Sequence, residues 1–139
     1  MMSDTGATVF VVDDDSSVRK SLGRLLGSCG YDVELFASAD EFLQRLPCEG
    51  LGCLILDVQL SGLTGLDLQE KLAARHCTLP IVFITGHGDL TMRLRAVKAG
   101  ASAFIMKPFR EETLLQAVAQ ALVQSRNGKQ TRNSKGRHS

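Results

Sequence analysis

Val9–Asp15 reads VFVVDDD, an aliphatic and aromatic run that breaks abruptly onto three acids. A short apolar run with hardly any polar member is the pattern of a strand covered on both faces, so a first strand is expected over Thr8–Val12. The same kind of run recurs at Cys53–Leu56, Ile81–Thr85 and Ala103–Met106. Asp32–Phe36 differs, because Asp32 and Glu34 alternate with Val33 and Leu35. That alternation reads as a strand at the edge of a sheet.

Helix-length stretches separate the runs. Val18, Leu22, Leu25 and Leu26 recur at helical spacing, and Gly30 follows as a stop. Ser38-Ala39-Asp40-Glu41 has capping-box spacing and opens a short helix carrying Phe42 and Leu46, closed by Pro47. Leu68 and Leu72 stripe a third helix. Leu90, Leu94 and Val97 stripe a fourth, ended by Gly100, and Leu114, Leu115, Val118 and Leu122 stripe a fifth. Strand and helix alternate five times, which predicts an α/β fold: a single doubly wound, five-stranded parallel sheet flanked by five helices. In such sheets ligands bind outside the carboxyl ends of the strands, where strand order reverses.

Composition fits one domain. The 139 residues are 44% hydrophobic and 22% charged, which argues against wholesale disorder. A chain of this size buries about two-thirds of its unfolded surface, so its core needs no disulfide or structural metal. No apolar run approaches the ~18 residues of a membrane span, and Met1–Phe10 is no signal peptide. No membrane role and a cytoplasmic location are therefore expected. Charge divides the chain: residues 1–125 hold eleven basic and fifteen acidic residues, whereas 126–139 hold five basic and no acidic ones. A domain is placed at 1–125, and 126–139 reads as a basic, polar, disordered tail or truncated linker with too little to bury. No aromatic residue is interleaved there to stack on bases. Cys29, Cys48, Cys53 and Cys77 include no C-x-x-C pair and read as buried small hydrophobes. A zinc site from Cys48, Cys53, His76 and Cys77 fits no common spacing.

The strand ends carry the chemistry. Asp13, Asp14 and Asp15 follow the first strand, Asp57 follows the third, Thr85-Gly86 ends the fourth, and the fifth runs into Lys107-Pro108. Carboxylates gathered in one cleft repel unless a cation joins them, and Mg²⁺ suits oxygen ligands together with a phosphoryl group. Lys107 supplies a point charge for an anionic oxygen and Thr85 a hydroxyl. A metal, a cation, a hydrogen-bond donor and a nucleophile are the parts of a phosphoryl-transfer site, with Asp57 the natural nucleophile. Singly, Asp15 is a helix cap, Thr85 a strand residue and Lys107-Pro108 a turn; jointly, on one rim, they outweigh those readings. No Walker-type G-x-x-x-x-G-K-[ST] and no G-x-G-x-x-G follows the first strand, which excludes the common nucleotide-cofactor signatures.

The sequence resembles the receiver domain of bacterial two-component response regulators. The resemblance covers about Thr8–Leu122 and rests on VFVVDDD, CLILDVQLSGLTGLDL (Cys53–Leu68), IVFITGHGD (Ile81–Asp89) and AVKAGASAFIMKPF (Ala96–Phe109), in that order. SLGRLL, GYDVELFASADEFL, FITGHGD and KAGASAFIMKPF further resemble the FixJ-like subfamily, whose usual output is a DNA-binding helix-turn-helix domain. The resemblance implies a (βα)5 flavodoxin-like receiver fold with Asp57 as phosphoacceptor. It implies Mg²⁺ held directly by Asp14, Asp57 and the backbone carbonyl of Gln59, with Asp13 acting through water. Thr85 and Lys107 would hold phosphoryl oxygens, and Phe104 would be the aromatic partner of Thr85 in switching. Gln59 and His87, two residues beyond Asp57 and Thr85, would tune the lifetime of the phosphate. Such a domain takes phosphate from a sensor histidine kinase and slowly hydrolyses it, a signalling module rather than an enzyme with an external substrate. DNA would be reached only through an output domain outside this chain. One departure is visible: Ser61 stands before Gly62 where the family usually has Pro, so the loop is expected to be less restrained.

Arg93, Arg95 and Lys98 on the fourth helix, with Glu111 and Glu112 starting the fifth, make a mixed-sign surface that suits a two-fold partner, basic residues of one copy meeting acids of the other. A phosphorylation-dependent homodimer through the fourth helix and fifth strand is therefore expected. The competing readings are a stand-alone receiver acting by protein–protein contact, a Mg²⁺-dependent phosphatase using Asp13 and Asp15, and a nucleic-acid binder working through the tail.

Overall fold

A computed structural model describes residues 7–47, 50–87 and 90–138, with side chains through residue 128. Cys48, Gly88, Asp89 and the tail's Lys129, Arg132, Lys135 and Arg137 side chains lie outside the described set. Strand and helix alternate as β1 (Thr8–Val12), α1 (Ser16–Ser28), β2 (Asp32–Phe36), α2 (Ala39–Arg45), β3 (Gly52–Asp57), α3 (Gly65–Ala74), β4 (Ile81–Thr85), α4 (Leu90–Lys98), β5 (Ala103–Met106) and α5 (Glu111–His138). The five strands form one parallel sheet in the order β2-β1-β3-β4-β5. Order reverses between β1 and β3, where Val12 pairs with Leu56, so the acids that follow these strands emerge side by side.

Alternate residues of each strand feed two separate cores. Val9, Val11, Cys53, Ile55, Val82, Ile84 and Ile105 pack against Leu22 and Leu26 of α1 and Leu114, Val118 and Leu122 of α5. Phe10, Val12, Leu54, Leu56 and Phe83 pack on the other face against Phe42 of α2, Leu68 and Leu72 of α3, and Ala96 of α4. Each fully buried large side chain is worth about 1.5–3 kcal/mol relative to exposure. Helix starts are fixed locally. The Asp15 carboxylate accepts from the Ser17 and Val18 amides at α1, and the Ser38 hydroxyl accepts from the Glu41 amide at α2. Glu41 accepts from Ala37 rather than from Ser38, so the expected box closes on one side only. The reciprocal box sits at α3, between Thr64 and Asp67.

Two apolar patterns face the other way from expectation. Leu90, Leu94 and Val97 keep helical spacing, yet they are 70%, 55% and 52% exposed, and Ala96 is the one buried residue of α4. β5 reads as a covered strand but lies at the sheet edge, leaving Met106 45% exposed. Periodicity reveals that a stripe exists and not which side of it the core occupies.

The cysteines also divide. Cys53 is buried, and burial pushes its thiol up to about 12, whereas Cys77 is half-buried and Cys29, capping the end of α1, is exposed. Cys53 and Cys77 serve opposite faces of the sheet, which leaves no place for a shared zinc. α5 continues as a helix to His138, through the stretch whose composition predicted no order of its own. Propagation of a formed helix costs little per residue. Its core contact nevertheless ends early: Ser125 is buried, and residues 126–128 are exposed.

These packing differences set an order of stabilities. Leu114→Ala empties a fully buried site and should cost about 2–5 kcal/mol, whereas Leu94→Ala should stay within about 0.5 kcal/mol of the parent in urea unfolding. Equal losses would mean that Leu94 is buried.

Candidate functional site

The carboxyl rim of the sheet assembles the groups that follow β1, β3, β4 and β5. Asp13 and Asp57 are buried despite their charge, and Thr85 is fully buried between them and β5 in strand order. Lys107 leaves the end of β5 and returns across the rim, its Nζ 3.1 Å from Oδ2 of Asp13 and 3.1 Å from Oδ2 of Asp57. Its own amide donates to the Thr85 carbonyl at 2.7 Å, which locks the ends of β4 and β5 together.

Local turns aim the acids. The second oxygen of Asp13 accepts from the Asp15 amide at 2.9 Å, and that of Asp57 accepts from the Gln59 amide at 2.9 Å. Arg19 of α1 reaches back to the Asp13 carbonyl at 2.7 Å. Asp14, exposed, is held differently: Ser61 donates to its Oδ2 through both the amide, at 3.3 Å, and the hydroxyl, at 3.1 Å. The loop expected to be loose at Ser61 is therefore tied to the β1 end, by two donors that proline does not possess.

Charge and burial oppose each other in this cleft. Burial, with the Asp13 charge adding to it, holds the Asp57 carboxyl above the usual carboxylate range, although the Gln59 amide and Lys107 pull the other way. Burial likewise works against the Lys107 ammonium, but its bonds to Asp13 and Asp57 and their charges prevail and raise it above an ordinary lysine. Three carboxylates against one ammonium leave the cleft acidic. One ligand oxygen from each of Asp13, Asp14 and Asp57 can be chosen so that all lie within 4.8 Å of one another. That donor set fits a hard divalent cation.

The remaining expected residues fall nearby. The Thr85 hydroxyl accepts from the His87 amide at 3.2 Å. Gln59 and His87 are both exposed beside the rim. Phe104 pairs with Phe83 in register, its ring centroid 6.1 Å from that of Phe83, and shares with Thr85 the sheet face that α4 covers. Arg19 and Gly65 escaped the sequence reading, and Ser61 entered it only as a missing proline. Arg19 and Ser61 act through hydrogen bonds to residues far off in sequence or through a backbone oxygen, and leave no spacing signal. At Gly65 a Cβ would overlap the Asp57 carbonyl oxygen and come 2.9 Å from the Val58 Cα. Only glycine lets α3 start hard against the end of β3, and the Thr64–Asp67 cap around it was the available clue.

Comparison with known proteins agrees with this geometry. The family model described as the response regulator receiver domain matches residues 9–119. Nodulation protein W of Bradyrhizobium diazoefficiens is 48% identical over 130 residues, covering 94% of this chain and 57% of that protein. Transcriptional regulatory protein FixJ of the same organism is 39% identical over 121 residues, covering 87% of this chain and 59% of FixJ. The chain thus spans somewhat over half the length of these relatives. A low-resolution structure of the response regulator StyR superposes with a TM-score of 0.89 at 47% identity, covering 96% of this chain and 67% of that one. With an acidic cleft bridged by a lysine on a β2-β1-β3-β4-β5 sheet, and a family match across most of its length, the chain belongs to the response regulator receiver domain family.

Proposed function

We propose that Asp57 is the phosphoacceptor of a switch driven by a sensor histidine kinase. The observation that carries this reading is the position of Lys107, whose Nζ lies 3.1 Å from both buried carboxylates. An ammonium held there meets any oxygen added to Asp57. In the transfer, a carboxylate oxygen of Asp57 attacks the phosphorus of a phosphohistidine. The new O–P bond forms as the P–N bond breaks, and the imidazole leaves with the electron pair. Hydrolysis reverses the gain: water attacks phosphorus, the O–P bond breaks, and the Asp57 carboxylate and inorganic phosphate separate. Mg²⁺, held by Asp14, Asp57 and the Gln59 carbonyl with Asp13 acting through water, would supply positive charge for the phosphoryl oxygens. Gln59 and His87, both exposed, would orient or exclude the attacking water and so set lifetime. The chemistry acts on the domain itself, which is the reading of a signalling module rather than of a phosphatase.

Readout follows from differential contact. A phosphoryl group on Asp57 gains from the Thr85 hydroxyl and the Lys107 ammonium only in one arrangement of the β4 and β5 ends, and favours that arrangement. Inward movement of Thr85 leaves room on its own sheet face that Phe104 takes by a rotamer change. The surface altered is α4 and β5, where Leu90, Leu94, Val97 and Met106 present apolar area among Arg93 and Lys98. Arg95 is drawn into an ion pair with Glu70 at 3.1 Å, so apolar contact carries more of a homodimer there than the mixed charges do. The length and names of the relatives support a regulator of transcription whose DNA-binding part follows residues 126–139 as a linker. A cytoplasmic place suits that role, and among the described residues no helix is long and apolar enough to cross a membrane.

Two measurements check this reading. A small phosphodonor with Mg²⁺ should add the mass of one phosphoryl group, which hydroxylamine removes, and Asp57→Asn should abolish it; undiminished labelling of the variant refutes the assignment. Phosphorylated protein should sediment toward a dimer, Leu94→Ser should remove that shift while labelling persists, and Thr85→Ala should be labelled yet shift less. A phosphorylated sample as monomeric as the unmodified one would take dimerisation out of the mechanism.

A further inference from the structure

We infer that Ser61 is a positioning residue for Asp14 and sets the affinity of the acidic cleft for a divalent cation, an inference that rests on the proposed cation site. The three carboxylates are not held alike. Asp13 and Asp57 are buried, and each has one oxygen on a backbone amide two residues ahead and the other on Lys107. Asp14 is exposed, and among the described residues its hydrogen bonds come from Ser61 alone. Its two rotatable torsions are free to solvent unless that contact holds them. Both Ser61 donors converge on Oδ2, at 3.3 Å from the amide and 3.1 Å from the hydroxyl, which leaves Oδ1 without a competing donor from the serine.

A carboxylate fixed by one oxygen presents the other in a defined direction, and partners of this outer kind commonly govern metal affinity. Ser61 belongs to the loop between β3 and α3, so the contact also spans 47 residues and ties the loop after Asp57 to the end of β1. The site thereby closes as a ring: Lys107 joins Asp13 to Asp57, and Ser61 joins the segment after Asp57 to Asp14. Losing the hydroxyl leaves one long amide contact. Losing the amide proton as well leaves none.

Titration calorimetry of Mg²⁺ into the unphosphorylated chain, at fixed pH and ionic strength, tests the assignment with Ser61→Ala, Ser61→Thr and Ser61→Pro. Affinity should fall about tenfold in Ser61→Ala, the lower edge of what such partners contribute, and stay within about twofold of the parent in Ser61→Thr, which keeps both donors. Ser61→Pro should bind most weakly, because proline has neither hydroxyl nor amide proton. A role confined to loop stiffness gives the opposite order, since proline restrains the chain, and would place Ser61→Pro at or above the parent. Ser61→Ala and Ser61→Thr both equal to the parent would overturn the inference even where proline distorts the loop. A parent that binds no Mg²⁺ at millimolar concentration refutes the cation site together with this inference, whereas a parent that binds with all variants unchanged refutes the inference alone.

Discussion

The ammonium of Lys107 between Asp13 and Asp57 is the interaction on which the arrangement of the rim depends. Two buried carboxylates at the centre of a sheet repel each other and forgo water, and one cation bonded to both at 3.1 Å offsets much of that cost. The bridge requires the sheet order. β1 and β3 must be neighbours for the acids to share a partner, and the residue after β5 must reach past β4 to meet them. The Lys107 amide bond to Thr85 fixes where that reach begins. The compensation is incomplete, because Asp57 remains above the ordinary carboxylate range and Asp14 adds a third charge. An unfinished balance of this kind leaves the cleft ready for further positive charge.

Much of this was legible in the sequence because strands covered on both faces write themselves as unbroken apolar runs. β1, β2, β4 and β5 occupy the expected residues, and β3 extends its run by one residue at each end. The convergence of Asp13, Asp14, Asp57, Thr85 and Lys107 followed from topology alone, since residues after parallel strands share an edge. What stayed hidden depends on three-dimensional neighbours. The stripe of α4 has the right period for a core-facing helix, yet nothing in that period tells that β5 is the last strand and leaves part of the helix uncovered. Ser61 signalled only a missing proline, and the replacement restraint became visible once its two donors were seen on Asp14.

The same partial burial of α4 bears on how the proposed switch would reach the surface. α4 keeps Ala96 as its one buried residue, together with a hydrogen bond from the buried Gln69 side chain to the Ala96 carbonyl at 3.1 Å. α5, by contrast, buries Leu114, Ala117, Val118, Ala121 and Leu122 against the opposite face. Elements with few buried contacts move at the smallest free-energy cost. In the proposed switch, a phosphoryl group on Asp57 would draw Thr85 and Lys107 together and gain a few charge-assisted hydrogen bonds. That modest gain can shift a lightly anchored helix, where it could not displace a helix seated like α5. The apolar residues that α4 exposes thus have a mechanical counterpart. The helix that withholds Leu90, Leu94 and Val97 from the core leaves them exposed, and in the proposed switch its light anchoring would let phosphorylation of Asp57 govern how they are presented to a partner.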